Sequence, residues 1–175
     1  MSGHNKWSQI KRQKAKTDGQ KSKIFTKFAK IITQESKKNN GNINAPSLKS
    51  AIERARAENM TNESIERAIK KATTQVTDLE NITYESYGPG GCAIVIDVLT
   101  ENRNKAAQEV KHILSNYGFE FAGIGSATWA FEKTLDGWIP KTTVAISEED
   151  GKVLEAVLGE LEENDEVKEV YTNAE

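Results

Sequence analysis

Seven cationic side chains crowd the first 23 residues: Lys6, Lys11, Arg12, Lys14, Lys16, Lys21 and Lys23. Residues 1–38 hold 11 Lys/Arg against 2 Asp/Glu, a net charge of +9. Cations at this density, with almost no carboxylates to pair with, suit the neutralisation of backbone phosphates and the release of condensed counterions. Trp7 stands among them. Its indole plane is able to stack on an unpaired base for about 1–3 kcal/mol, or else to pack the arm onto the helices that follow. The plain alternative for the whole segment is a solvated lysine-rich face, and the scarcity of acidic partners argues against it. His4, a lone histidine, reads as an ordinary exposed side chain beside the better phosphate ligand Lys6.

Two other short segments invite an anion-binding reading. Gly88-Pro89-Gly90-Gly91 is glycine-rich, but it lacks the spacing and the Lys-Ser/Thr ending of a phosphate loop and does not open a helix. A tight turn needing positive φ accounts for it, with a contact surface as the functional alternative. Asn102-Arg103-Asn104 sits at an expected helix N-terminus, where backbone N–H groups attract anions and where capping is the plain use. One strand of eight residues separates the two segments by roughly 26 Å, so they cannot build one compact pocket.

Catalytic chemistry finds no footing. There is no Ser/His/Asp arrangement, and the lone Cys92 lies at a strand start. Asp97 falls mid-strand and reads as an outward, solvated carboxylate. Glu148-Glu149-Asp150 at a helix start answers to the helix dipole rather than to a metal. Glu162-Glu163-Asn164-Asp165-Glu166 lacks the ligand spacing of a calcium loop. Two histidines and one cysteine leave little for zinc. No enzyme activity, metal or cofactor is expected.

The 175 residues sum to a net charge of only −2, which conceals the polarity of the chain. Residues 1–77 carry 17 Lys/Arg and 6 Asp/Glu, whereas residues 78–175 carry 7 and 20. A polyanion-binding front and a solubilising rear follow. The longest apolar run, Cys92–Ile96, is far short of the roughly 20 residues of a membrane span. The N-terminus has no apolar core of a signal peptide. A single cysteine fits a reducing, cytoplasmic setting.

The elements that must position these residues follow from hydrophobic spacing. Residues 1–17 form an arm, helical from Ser8 when bound. Ile24, Phe25, Phe28, Ile31 and Ile32 predict a helix over Gly19–Lys37. Pro46 opens a second helix, with Leu48, Ala51, Ile52 and Ala55 inward. Thr61 or Asn62 caps a third, with Ile65, Ala68, Ile69 and Ala72 inward. A linker is expected over Thr73–Asn81. Strands follow at Ile82–Tyr87 and Cys92–Leu99, then a helix from Thr100 or Asn102 to Tyr117 that Gly118 ends. Ser126–Thr134 and Trp138–Ile146 are expected strands around an Asp136-Gly137 turn. A helix capped by Ser147 and a strand Val167–Tyr171 close the chain. The fold class is α+β: a basic arm and three-helix bundle over residues 1–77, then over residues 78–175 a ferredoxin-like antiparallel sheet with two helices on one face.

At this point the residues resemble a known family. Met1-Ser2-Gly3-His4-Asn5-Lys6-Trp7 with Ile10-Lys11 and Lys14 is similar to the opening of the YebC/PmpR family. Lys23-Ile24-Phe25-Thr26-Lys27, Ala51–Ala55 with Asn59-Met60, and Ile65–Lys71 match its next signatures. Tyr84 with Tyr87–Gly91, Leu99–Asn104 and Ile139–Val144 complete the set, in the family's order. The family carries a further small α/β domain between the segments like Phe131-Glu132-Lys133 and Ile139-Pro140-Lys141. Here only Thr134–Trp138 lies between them, so the resemblance is to a shortened member. Thr61 also stands where proline is common.

The resemblance implies a non-enzymatic regulator of gene expression. Members are described mostly as transcriptional regulators binding promoter DNA, and others as translation factors that act on the ribosome at proline-rich stretches. The residues lean differently. Glu53, Glu58, Glu63 and Glu66 interrupt the cations Arg54, Arg56, Arg67, Lys70 and Lys71 of the second and third helices, and no Arg/Asn/Gln cluster for base edges stands out. Mobile basic arms with a stacking ring suit structured RNA as well as duplex DNA. The expected partners are therefore DNA or RNA, the large ribosomal subunit being the RNA alternative, and no membrane. The residues fix no oligomeric state.

Overall fold

Thr17 starts the first helix. Its hydroxyl accepts the Gln20 backbone N–H at 3.3 Å, and the Gln20 side chain accepts the Thr17 N–H at 2.9 Å, a reciprocal capping box. The computed structural model describes residues 17–75 and 78–175. Residues 1–16, including the arm's expected helix from Ser8, lie outside that description.

Helix α1 runs over Asp18–Lys38, α2 over Pro46–Ala57 and α3 over Asn62–Thr74. Pro46 opens α2, and Thr61 caps α3 by accepting the Ser64 N–H at 3.2 Å. Between α1 and α2 the chain turns through Asn40 and Gly41, both at positive φ. The bundle buries Phe28, Ile31 and Ile32 of α1 against Leu48, Ala51, Ile52 and Ala55 of α2 and Ile65 and Ala68 of α3. Polar side chains at the same seam are satisfied across it. Thr33 Oγ1 donates to the Ala68 carbonyl at 3.1 Å, and Ser36 Oγ to the Ile69 carbonyl at 3.1 Å.

The acidic half is built on β1 (Glu80–Tyr87), β2 (Ala93–Thr100), α4 (Arg103–Asn116), β3 (Phe131–Thr134), β4 (Gly137–Pro140), α5 (Glu148–Glu163) and β5 (Val167–Thr172). The main sheet has the order β1-β2-β5, with β2 antiparallel to β5 in the register Ile94↔Thr172 and Ile96↔Val170. Strand β2 is buried on both faces, which explains its unbroken apolar run. Cys92, Ile94, Ile96 and Val98 face Ala106, Val110 and Leu114 of α4 and Leu154, Val157 and Leu161 of α5. Ala93 and Val95 face Ala127, Ala130, Phe131 and Trp138. The chain divides into two compact units. One holds the three helices, the segment to Glu80 and Leu99–Glu101; the other holds Asn81–Val98 and Asn102–Glu175.

The α+β class, the three-helix bundle and the antiparallel sheet with two helices on one face are as expected. The third and fourth strands differ from expectation. The expected Ser126–Thr134 strand is a short helical turn at Thr128–Ala130 followed by a strand only from Phe131, and the expected Trp138–Ile146 strand stops at Pro140. These two pair with each other as a hairpin, Thr134↔Gly137 next to the turn, and cover the other face of the main sheet. Ala127 and Ala130 are buried, and Val144 and Ile146 half-buried, outside these two strands, so their apolar spacing imitates a strand where no continuous ladder runs. The expected linker Thr73–Asn81 is also shorter, because α3 continues to Thr74 and β1 begins at Glu80.

Candidate nucleic-acid interface

Of the expected phosphate ligands, Lys6, Lys11, Arg12, Lys14 and Lys16, together with Trp7 and His4, lie outside the described residues. Lys21 and Lys23 are described, and both are exposed on the first turns of α1. The partial positive charge of the α1 N-terminus adds to theirs. Helix α1 begins two residues after Lys16 in the sequence, with Asp18 as the acidic residue of its first turn.

The arginines of α2 and α3 have partners in the same unit. The Arg54 guanidinium carbon lies 5.7 Å from the Phe28 ring centroid. Arg56 Nε donates to Asn62 Oδ1 at 3.2 Å, and Arg67 pairs with Glu63 at 2.9 Å. Lys70 and Lys71 are exposed near the end of α3.

Gly88-Pro89-Gly90-Gly91 forms a short helical turn between β1 and β2. Gly88 and Pro89 are buried, and a Cβ at Gly88 would meet the Ile94 side chain at 2.7 Å. Gly90 has φ +67°, and a Cβ there would meet Ile146 at 2.7 Å. Gly90 and Gly91 are exposed. At the other end of β2, Asn102 caps α4 by accepting the Lys105 N–H at 3.0 Å, with Arg103 and Asn104 exposed beside it. The Lys105 ammonium pairs with Glu166 at 3.3 Å, and Glu166, with Glu109 adding, raises its pKa.

Cys92 is fully buried, and burial pushes its thiol pKa up, so the nucleophilic thiolate is disfavoured. Asp97 corrects an expectation. It is half-buried rather than solvated, and it accepts from Thr83 Oγ1 at 2.8 Å and from Trp138 Nε1 at 3.2 Å. Burial of that strand position brought donors to it from a neighbouring strand and from the hairpin.

Three features escaped the sequence reading. Glu85 is buried, and its carboxylate accepts the backbone N–H groups of Gly125 at 2.7 Å and of Ala127 and Thr128 at 2.8 Å. Burial raises its pKa, but these donors outweigh burial and the net effect is a lowered value. The loop so held presents Ile124 and Trp129, which are 102% and 58% exposed, beside Tyr87. Trp129 Nε1 donates to the Tyr87 hydroxyl at 3.2 Å, and that hydroxyl donates to the Ser126 carbonyl. Third, Gln34 of α1 is buried. Its sequence signal is its place three residues after Ile31, on the apolar stripe. Glu85 and Trp129 carry no such signal, because their partners are distant in sequence.

Comparison with known proteins locates these elements in a wider group. The family model described as "TACO1/YebC protein N-terminal domain" matches residues 5–75. A second, described as "TACO1/YebC second and third domain", matches residues 79–135 and 136–174. The break between those pieces falls inside the two-residue turn of the β3–β4 hairpin. A "Probable transcriptional regulatory protein" of Thermotoga maritima is 45% identical over 161 residues, covering 90% of this chain and 61% of that protein. The chain thus spans about three fifths of that relative. A protein of the same description from Thermoanaerobacter pseudethanolicus is 34% identical over 239 residues, covering 100% of this chain and 97% of its own length. Among solved structures, a conserved hypothetical protein of Aquifex aeolicus matches with a TM-score of 0.85 at 28% identity, over 98% of this chain and 97% of that one.

Proposed function

The chain belongs to the TACO1/YebC family, and on that footing we propose that it is a non-enzymatic, nucleic-acid-binding regulator of gene expression working in the cytoplasm. DNA is the leading partner, since the relatives carry the name of transcriptional regulators. The observation that carries the reading is the charge partition, +9 over residues 1–38 in a chain whose total is −2. The arm of Lys6, Lys11, Arg12, Lys14 and Lys16 grips phosphates, Lys21 and Lys23 extend that grip onto α1, and Trp7 stacks or packs. The acidic unit stays off the polyanion and offers Gly88–Gly91 and Asn102–Asn104 as secondary contacts. The turn at Leu135-Asp136 stands where longer relatives continue into additional chain, so functions of that additional part do not transfer.

A second reading is favoured by a specific observation. Arg54 lies over Phe28, Arg56 donates to Asn62 and Arg67 pairs with Glu63 on the exposed face of α3, so these cations are partly occupied, and with glutamates among them no described cluster stands out as suited to read base edges in a major groove. A ribosome-associated translation factor that binds ribosomal or transfer RNA through the same arm, relieving stalls at proline-rich stretches, fits that occupancy. Crosslinking the protein to nucleic acid in cells and sequencing what is attached separates the readings. Promoter fragments support the first and ribosomal RNA the second. Recovery of neither from the arm rejects both.

A further inference from the structure

From Phe121 to Phe131 the chain carries no charged side chain. Ile124 in that stretch is fully exposed, and Trp129 and Tyr87 are exposed beside it. Large apolar side chains gathered at one surface mark an interaction site more often than they occur by chance. The patch is also fixed before any partner arrives. The Glu85 carboxylate holds the backbone N–H groups of Gly125, Ala127 and Thr128 from beneath. Trp129 Nε1 donates to the Tyr87 hydroxyl at 3.2 Å, and that hydroxyl donates to the Ser126 carbonyl, which locks both rings. Little ordering cost then remains for binding.

The charges around the patch narrow the partner. Gly90 lies within about 11 Å of Tyr87 along the chain, and a Cβ on it would stand 3.3 Å from Asp150 Oδ2. The first turn of α5, with Glu148 and Glu149 exposed, is therefore close to the aromatic pair. Ser86 Oγ donates to the Glu120 carbonyl at 2.8 Å, which sets exposed Glu120 next to the end of β1. The N-terminus of α5 supplies only about half a positive charge, so its three carboxylates leave a negative excess. Lys141, whose backbone N–H donates to the Ala130 carbonyl at 2.8 Å, and Lys152 of α5 offset part of it. Glu132 and Lys133, next along β3, offset one another.

A phosphate backbone at this surface would meet those carboxylates. A second copy docked patch to patch would set them against their own kind. Arginine suits both parts of the surface: its stem covers Ile124, its guanidinium lies on the Trp129 face, and its N–H groups donate to the flanking carboxylates. We propose that the Tyr87–Ile124–Trp129 patch docks an arginine-rich segment of a partner protein. This inference goes beyond the nucleic-acid reading above and does not depend on it. Nucleic acid at the adjoining Gly88–Gly91 turn is the rival occupant.

The test uses the full chain and a short fluorescent peptide of arginines spaced by serine and leucine. A second peptide carries citrulline at every arginine, which keeps the shape and removes the charge. Anisotropy reads the affinity, and the Trp129 indole N–H resonance reads the place. The native chain should bind the arginine peptide about tenfold more tightly than does Ile124→Ser or the double variant Glu148→Gln/Glu149→Gln. The Trp129 resonance should shift with the arginine peptide and stay still with citrulline. Ile124 is fully exposed, so Ile124→Ser keeps the native melting temperature. Equal binding by the native chain and Ile124→Ser is general charge attraction and overturns the proposal, as does a citrulline peptide that binds as well as the arginine form. Oligothymidylate that shifts the Trp129 resonance assigns the patch to nucleic acid. Self-association of the peptide-free chain that Ile124→Ser abolishes assigns it to a second copy. Either result also overturns the proposal, and none of these failures touches nucleic-acid binding by the arm, which is measured separately on duplex DNA.

Discussion

The carboxylate of Glu85 accepts the backbone N–H of Ala127 at 2.8 Å, 42 residues along the chain. With Gly125 and Thr128 it turns one strand residue into the anchor of the loop that presents Ile124 and Trp129. A buried carboxylate held by several N–H donors stays ionised at neutral pH.

Glu85→Gln is therefore expected to destabilise the fold by about 1–3 kcal/mol at pH 7, measured by urea denaturation. The sign of the pH dependence follows from the lowered pKa. The carboxylate's contribution is complete above its unfolded value, near 4.3, and is lost as pH falls through the lower folded value. The gap between native protein and Glu85→Gln should accordingly close in acid. A gap independent of pH down to about 2 would show that ionisation of Glu85 contributes nothing.

Gly137 occupies the hairpin position opposite Thr134 with φ +124°, and a Cβ there would run into the Tyr171 phenol. Gly137→Ala should cost about 1–3 kcal/mol from backbone strain and overpacking combined. The check is the thermal midpoint of Gly137→Ala against Gly91→Ala, whose Cβ would meet nothing within 4 Å although its φ is also positive. The difference between them reports the clash with Tyr171 together with the added strain of φ +124° over φ +77°.

The turn between β3 and β4 consists of Leu135 and Asp136, with Leu135 106% exposed. A small folded domain inserted between these two residues with flexible linkers should leave the host stability within about 1 kcal/mol, because loop closure grows only slowly with length. The same insertion between Pro89 and Gly90, in a turn packed on Ile94 and Ile146, should unfold the acidic unit. Circular dichroism melts of the two insertions decide the matter.

Binding to duplex DNA should weaken steeply with salt. If six of the arm and α1 cations engage, the log–log slope is about −5, and replacing Lys6, Lys11, Arg12 and Lys14 by glutamine should reduce its magnitude by about 3.6. Anisotropy titrations across a range of salt concentrations measure both. An unchanged slope in the substituted chain removes the arm from the interface.

Much of this was legible before any coordinate. Helical spacing in α1 to α5, the caps Thr61, Asn102 and Ser147, and a hairpin turn at Leu135-Asp136-Gly137 are local signals. Each depends on contacts within a few residues: the helices and caps formed where those residues direct, and the hairpin turns at Leu135-Asp136 with Gly137 already in β4. The stretches Ser126–Ala130 and Lys141–Ile146 were misread as strands, because apolar side chains that pack without a continuous ladder, such as Ala127, Ala130 and Ile146, are spaced as those of a strand are. Asp97 was misread for the converse reason: its donors, Thr83 and Trp138, come from residues 14 and 41 positions away.

Charge along the chain is additive and needs no fold, so the basic front and acidic rear, on which the proposed grip on phosphate rests, were already written in residue order. Mutual placement is not additive. Whether Glu85 meets three N–H groups or water, and whether the Asp97 carboxylate meets Thr83 and Trp138 or solvent, depends on which distant part of the chain arrives beside it. That arrival is settled when apolar faces from all the elements of a unit pack together at once.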